Sequence, residues 1–170
     1  TLADAQAAFE RYLVSIGYGD LEIAEVMKFE HNFYAIAEEP ETGMGAMEIL
    51  LDKSTGSIGP EPGPNMMWNE RYGMHGAPYA GRGMMEGMGR TRGNSRALTE
   101  AEALAYAQAW AEDARPPLTV DEHSDAFYGY YTFHTLQDGE IEGMLSVNSS
   151  SGDVWYHTWH GEFSRMVGEE

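Results

Sequence analysis

The chain has 170 residues, contains no cysteine and carries a formal net charge of −18 at neutral pH. The lack of cysteine excludes disulfide frameworks, thiolate metal sites and c-type haem attachment. The negative charge argues against nucleic acids and anionic membranes as partners, because like charges repel, and it favours the attraction of cations. No apolar stretch reaches the length of a membrane-spanning helix, so membrane insertion is not expected.

The first segment of the chain has the pattern of a helix followed by strands. Apolar residues recur three and four positions apart over residues 4–16, which predicts an amphipathic helix that ends near Gly17. Three runs with strand character follow, at residues 22–29, 32–38 and 46–51. Ile49 and Leu51 alternate with their neighbours, as in a strand with one buried face. We therefore expect a helix on a small antiparallel sheet.

Residues 60–96 form a connector that is rich in methionine, glycine and proline and differs in composition from both flanks. Its soft donor side chains, which we predict as metal ligands, fall in three clusters: Met66 and Met67; Met74 and His75; and Met84, Met85 and Met88. Thioether sulfur suits Cu(I) and Ag(I), and imidazole suits either oxidation state of copper. Alternatively, these methionines pack across the junction between the flanking segments or belong to a flexible linker, since methionine fills irregular cores.

The second flank repeats the first at an offset of 96 residues. Thr99 and Glu102 form the capping-box pattern of a helix start, and the Ala-rich run that follows ends before Pro116. Leu145 and Val147 occupy the positions that correspond to Ile49 and Leu51 of the first flank. The repeat predicts an α+β fold of two duplicated modules, each a helix packed on a small antiparallel sheet. The expected boundaries are residues 1–59 and 97–170, with the connector between them.

The turn at the end of each sheet carries a family resemblance. The first copy reads Leu51-Asp52-Lys53-Ser54-Thr55-Gly56-Ser57-Ile58, and the second reads Val147-Asn148-Ser149-Ser150-Ser151-Gly152-Asp153-Val154. The first copy resembles the apolar–Asp–x–x–Thr–Gly–x–apolar turn of PepSY domains, and the second keeps its glycine and apolar ends. The resemblance implies extracytoplasmic modules that bind or inhibit a partner and share no catalytic residues. The connector, in turn, resembles the Met/His/Gly-rich segments of periplasmic copper-handling proteins.

Two histidines near the C-terminus, His157 and His160, are further candidate metal ligands. A spacing of three suits chelation by one ion when the segment is helical. The aromatic run Trp155–Trp159 favours extended chain instead, in which the two rings point to opposite faces. On that reasoning, packed or hydrogen-bonded histidines are the favoured interpretation and a ligand pair is the alternative.

These features lead to two functional hypotheses. The first is an exported protein that binds Cu(I) or Ag(I) through the connector methionines and acts as a buffer or carrier. The second is a non-catalytic protein-interaction or peptidase-inhibitory module, whose connector serves for packing or for formation of a homo-oligomer. No catalytic motif is recognisable, so we do not expect an enzyme. The start at Thr1 suggests removal of upstream residues, such as a signal peptide. The resemblances to PepSY domains and to periplasmic copper-handling proteins imply a periplasmic or other extracytoplasmic location.

Overall fold

The computed structural model describes residues 1–74 and 96–168, which form two 14-residue helices, one short helix and nine strands. In chain order the elements are α1 (Leu2–Ser15), β1 (Glu22–Phe29), β2 (Asn32–Glu39), β3 (Met44–Asp52), β4 (Ile58–Pro60), α2 (Pro64–Met67), α3 (Glu100–Asp113), β5 (Thr119–Phe127), β6 (Tyr130–Gln137), β7 (Glu140–Asn148), β8 (Val154–Tyr156) and β9 (Phe163–Gly168). The predicted helix at residues 4–16 and the three predicted strands of the first segment are confirmed. None of the described helices is both long and apolar enough to span a bilayer.

The two long helices begin at capping boxes and pack against opposite halves of the sheet. The predicted capping box of α3 is confirmed, because Thr99 Oγ1 accepts a hydrogen bond from Glu102 N and the Glu102 side chain accepts one from Thr99 N. Helix α1 buries Ala5, Phe9 and Leu13 against β1 to β3. Helix α3 contacts β5 to β8 through the small side chains of Ala103, Ala107 and Ala111.

All nine strands belong to one mixed sheet in the order β8-β7-β6-β5-β3-β2-β1-β9, with β4 paired to β3. The first half of this sheet contains β9 and β1 to β4, and the second half contains β5 to β8. The two halves join where β3 and β5 pair in parallel at Gly45 and Phe127. A Cβ atom on Gly45 would lie 2.6 Å from the Phe127 ring, so this junction requires glycine. The predicted fold class of two PepSY-like α+β modules, each a helix on its own small antiparallel sheet, is therefore wrong. The strand edges of the two halves pair with each other and do not end separate sheets.

The sheet face that carries no helix is buried by contact between the two halves. One core cluster combines Met27, Phe29, Tyr34 and Ile36 of the first half with Phe127, Tyr130 and Met144 of the second half. As a result β3 is buried on both faces, and Glu48 within it has no exposed surface. The expectation that the strand at residues 46–51 has only one buried face is wrong, because the second half covers the other face.

Two asparagine side chains attach the first part of the connector to β3. Asn65 Nδ2 donates to the backbone oxygens of Glu48 and Glu61, and its Oδ1 accepts from the backbone N–H of Glu48. Asn69 Nδ2 donates to the backbone oxygen of Ala46 at 2.8 Å. These bonds satisfy buried backbone groups and place Glu61 over the helix-free face of the sheet.

Candidate metal centre

Glu61, His157 and His160 meet in the interior although they are far apart in sequence. Glu61 directly follows β4, and both histidines lie in the turn after β8. The three residues are 0 %, 2 % and 1 % exposed, respectively. Glu61 Oε1 lies 3.0 Å from His160 Nε2 and 3.4 Å from His157 Nδ1. One carboxylate oxygen and two imidazole nitrogens thus lie within 4.8 Å of one another.

The turn explains why both histidines point to the same place. Strand β8 ends at Tyr156, and the backbone N–H of His157 donates to Met144 O at 3.0 Å. The chain then bends back on itself, so that the ring of His157 stacks on Trp159 with 4.9 Å between ring centroids. The expectation that the His157 and His160 rings point to opposite faces is wrong, because it assumed that the strand continues.

A hydrogen bond between His160 Nδ1 and the Asn32 side chain determines the tautomer of His160. Nδ1 lies 3.0 Å from Asn32 Oδ1. Asn32 Nδ2 donates to the backbone oxygen of Trp159, which can only accept, so Oδ1 is the atom that faces the histidine. Nδ1 therefore carries the hydrogen and donates it to Asn32. The lone pair of Nε2 is then directed towards Glu61.

A chain of hydroxyl groups determines the tautomer of His157 in the same way. Glu48 Oε1 accepts hydrogen bonds from the hydroxyls of Tyr34, at 2.8 Å, and Thr132, at 3.2 Å, so this oxygen is an acceptor. Because the Thr132 hydroxyl donates to Glu48, it accepts from Ser146 Oγ, which lies 2.8 Å away. Ser146 in turn accepts from His157 Nε2 at 3.0 Å. Nε2 is thus the donor nitrogen, and neutral His157 presents the Nδ1 lone pair to Glu61.

The resulting arrangement places acceptors against one another in a dry site. The short contacts of Glu61 with the two rings lack the alignment of hydrogen bonds, and Glu61 Oε2, His157 Nδ1 and His160 Nε2 have no hydrogen-bond partner among the described residues. Trp159 Nε1 donates to Glu61 Oε1 at 2.9 Å and orients the carboxylate. Converging lone pairs repel unless a cation lies between them. In a tetrahedral site with bonds of about 2.1 Å, ligand atoms lie about 3.4 Å apart, close to the distances observed.

The pKa shifts identify the proton that a metal ion would displace. Burial by itself raises the pKa of Glu61, but the charge of His157 and the contacts with both rings outweigh it and hold the pKa at about 2. Burial lowers the pKa of His157, and the Glu61 charge more than compensates, so the net shift is upwards. The pKa of His160 is lowered, mainly by burial. Without metal, Glu61 is therefore ionised, and a proton taken up at this centre favours His157 over His160.

A pocket of about 700 Å³ has His157 and His160 in its wall. Its lining also contains five carboxylates and no lysine or arginine among the described residues: Glu30, Asp138, Glu140, Glu142 and Glu162. A cleft lined by charges of one sign raises the local concentration of the opposite ion. The pocket therefore favours cations beside the two histidines.

Three of the predicted methionine ligands, Met66, Met67 and Met74, lie within the described residues. Met66 is half-buried, and the side chains of Met67 and Met74 are 55 % and 51 % exposed. The backbone N–H of Met74 donates to Met66 O at 3.0 Å, so these two residues are neighbours. The remaining predicted ligands lie outside the described residues: His75, Met84, Met85 and Met88. The predicted Cu(I) site in the connector thus stays a prediction.

Sequence reasoning did not single out either buried glutamate. Glu48 does carry a signal, because it is one charged residue within the otherwise apolar run of residues 46–51. Glu61, between Pro60 and Pro62, has no comparable signal. Only the tertiary structure places it next to the two histidines.

No family model, curated protein or solved structure matches this chain. The resemblances to PepSY domains and to periplasmic copper-handling proteins therefore stay predictions from short motifs, and no family is assigned.

Proposed function

We propose that this protein binds one transition-metal ion of borderline character, Zn²⁺ or Cu²⁺, through Glu61, His157 and His160. The observation that carries the proposal is the convergence of two oriented imidazole lone pairs on a buried carboxylate. Imidazole nitrogen with carboxylate oxygen suits Zn²⁺ and Cu²⁺, whereas Ca²⁺ and Mg²⁺ prefer sites built from oxygen alone. The second hydrogen bond on each ring is typical of histidines that bind metals.

We infer that the protein holds or delivers the ion, as a buffer or carrier, and does not use it for catalysis. Burial of all three ligands supports this role, because a catalytic metal needs a coordination position that is open to substrate. The negative charge of the chain supports it as well, since it attracts cations from solution.

The competing explanation is a buried ion pair between Glu61 and protonated His157 that binds no metal. To separate the two, the protein is purified without chelators or a histidine tag, its metal content is measured, and Zn²⁺ is titrated against a competing chelator. The variant His157→Gln/His160→Gln is compared with the control His31→Gln/His123→Gln, which changes two exposed histidines. We expect one ion per chain in the wild type and the control, and an affinity at least about 100-fold weaker in the first variant. Equal affinity in both variants, or no bound metal in the wild type, contradicts the proposal.

Cu(I) binding by the connector methionines is a second candidate. The backbone hydrogen bond between Met74 and Met66, together with the exposure of Met67 and Met74, supports it, because three thioethers occur close together in the chain at an accessible surface. Cu(I) is titrated against a competing chelator after replacing five connector methionines by leucine: Met66, Met67, Met84, Met85 and Met88. Loss of Cu(I) affinity in this variant, with retention in the His157→Gln/His160→Gln variant, assigns Cu(I) to the methionines. The opposite pattern assigns it to the buried centre.

A further inference from the structure

The pocket with five carboxylates, hereafter the acidic pocket, adjoins the buried centre formed by Glu61, His157 and His160. Because these ligands have almost no exposed surface, an ion needs a path to reach them. Both histidines line the pocket. On its other sides the His160 ring is covered by aromatic side chains: it stacks on Phe29 at 4.3 Å between centroids and meets the edge of Tyr34 at 5.5 Å. His157 is covered by the Trp159 ring. Aromatic rings thus block those directions, and the pocket side carries carboxylates.

We propose that the acidic pocket is the route by which the metal ion reaches and leaves the buried centre, and that its carboxylates set the rate of loading. This inference rests on the proposed function, and it adds the path and the residues that control it. Glu30, Glu140 and Glu162 are exposed at the pocket, so they can hold a hydrated cation before it loses its water. Glu142 differs, because its Oε2 accepts hydrogen bonds from Tyr156 and Thr135.

Electrostatic attraction into such a cleft acts mainly on the association rate and weakens as salt concentration rises. Substitution of Glu30, Glu140 and Glu162, three of the four exposed carboxylates of the pocket, should therefore slow loading without altering the ligands themselves. A global change in net charge would also slow loading, so the comparison must hold net charge constant.

The first test is stopped-flow loading of the metal-free protein with Co²⁺, followed by the visible absorption of bound Co²⁺. The variant Glu30→Gln/Glu140→Gln/Glu162→Gln is compared with Glu41→Gln/Glu112→Gln/Asp113→Asn, which removes the same charge at exposed positions outside the pocket. At low ionic strength we expect the pocket variant to load about ten-fold more slowly than wild type, with a weaker dependence on salt. The control should change by less than about two-fold. Equal slowing in both variants overturns the proposal.

The second test narrows the pocket without changing its charge. Gln137 is exposed and lines the pocket at the end of β6, so Gln137→Trp adds bulk on the path and leaves the ligands unchanged. If the pocket is the route, Co²⁺ loading and its removal by excess chelator slow by the same factor, and the dissociation constant is unchanged. Unaltered rates in this variant overturn the route. If the wild-type protein binds no Co²⁺ or Zn²⁺, the route and the metal centre are both wrong; if it binds and only these rate effects fail, the route alone is wrong.

Discussion

Replacement of Glu61 by glutamine tests the metal centre with the smallest change in shape. The amide oxygen can still accept the hydrogen bond from Trp159 Nε1, but the only negative charge among the three ligands is lost. Removal of a hydrogen-bond partner behind a metal ligand typically weakens affinity by about 10- to 100-fold. Loss of a ligand should cost at least the upper end of that range. We therefore expect Zn²⁺ to bind Glu61→Gln at least about 100-fold more weakly than wild type.

The same change has a calculable effect on thermal stability. At a free Zn²⁺ concentration 100 times the wild-type Kd, bound metal stabilises the folded state by about 2.7 kcal/mol. For a protein of this size, that free energy corresponds to a rise in Tm of roughly 5–10 °C. A variant with a 100-fold larger Kd gains only about 0.4 kcal/mol at the same Zn²⁺ concentration, so its Tm rises by roughly 1 °C.

The assay is thermal unfolding followed by circular dichroism, with and without Zn²⁺, for wild type, Glu61→Gln and the control Glu41→Gln in an exposed turn. Similar far-UV spectra of the three metal-free proteins establish that each is folded. The reasoning is refuted if Zn²⁺ raises the Tm of Glu61→Gln as much as that of wild type, or leaves the wild-type Tm unchanged.

Three further predictions follow from the same geometry. Asn32→Ala removes the acceptor that fixes the tautomer of His160. Zn²⁺ affinity in a chelator competition should therefore fall by about 10- to 100-fold, while one ion per chain still binds. Gly45→Val places side-chain atoms against the Phe127 ring where the two halves join, so urea unfolding should show a loss of about 1–3 kcal/mol. Stability of the metal-free protein should fall as pH rises from about 5 to about 8, because burial and the neighbouring carboxylate charge raise the pKa of Glu48 from 4.5 to about 8, so the folded state keeps a proton that the unfolded chain releases.

Each of these predictions has a control. Gly59→Ala meets no atom within 4 Å, so it should leave stability nearly unchanged; a loss equal to that of Gly45→Val would contradict the steric argument. Glu48→Gln cannot titrate, so its stability should depend less on pH than that of wild type between pH 5 and 8; an unchanged profile would assign the effect to other groups. Unaltered Zn²⁺ affinity in Asn32→Ala would show that the tautomer of His160 does not depend on this hydrogen bond.

Local elements were predictable from the sequence because their causes are local. Period-two and period-3.6 patterns located the first helix and β1 to β3, and the Thr99–Glu102 pair located the start of α3. The histidine pair was recognised as a candidate, although its geometry was misjudged. A bend after Tyr156, only one residue before His157, reversed the expected directions of the rings.

The joining of the two halves into one sheet was not predictable in this way. Strand patterns show which face is apolar, but they do not show which strands pair when two edges have similar sequences. Gly45 decides this at one position, because only a residue without Cβ lets Phe127 approach. The burial of Glu48 follows from the same contact between halves, since its surroundings come from β2 and β6 as well as from its own strand.

The sequence alone therefore determined the two long helices, the first three strands, the cation-attracting charge and two of the three buried ligand candidates. Tertiary structure decided that Glu61 completes the set and that Asn32, 128 positions from His160 along the chain, orients its ring. The physical reason is the separation along the chain over which each interaction acts. Side-chain periodicity and capping depend on neighbours a few residues away, whereas a buried polar centre forms only when distant segments exclude water together.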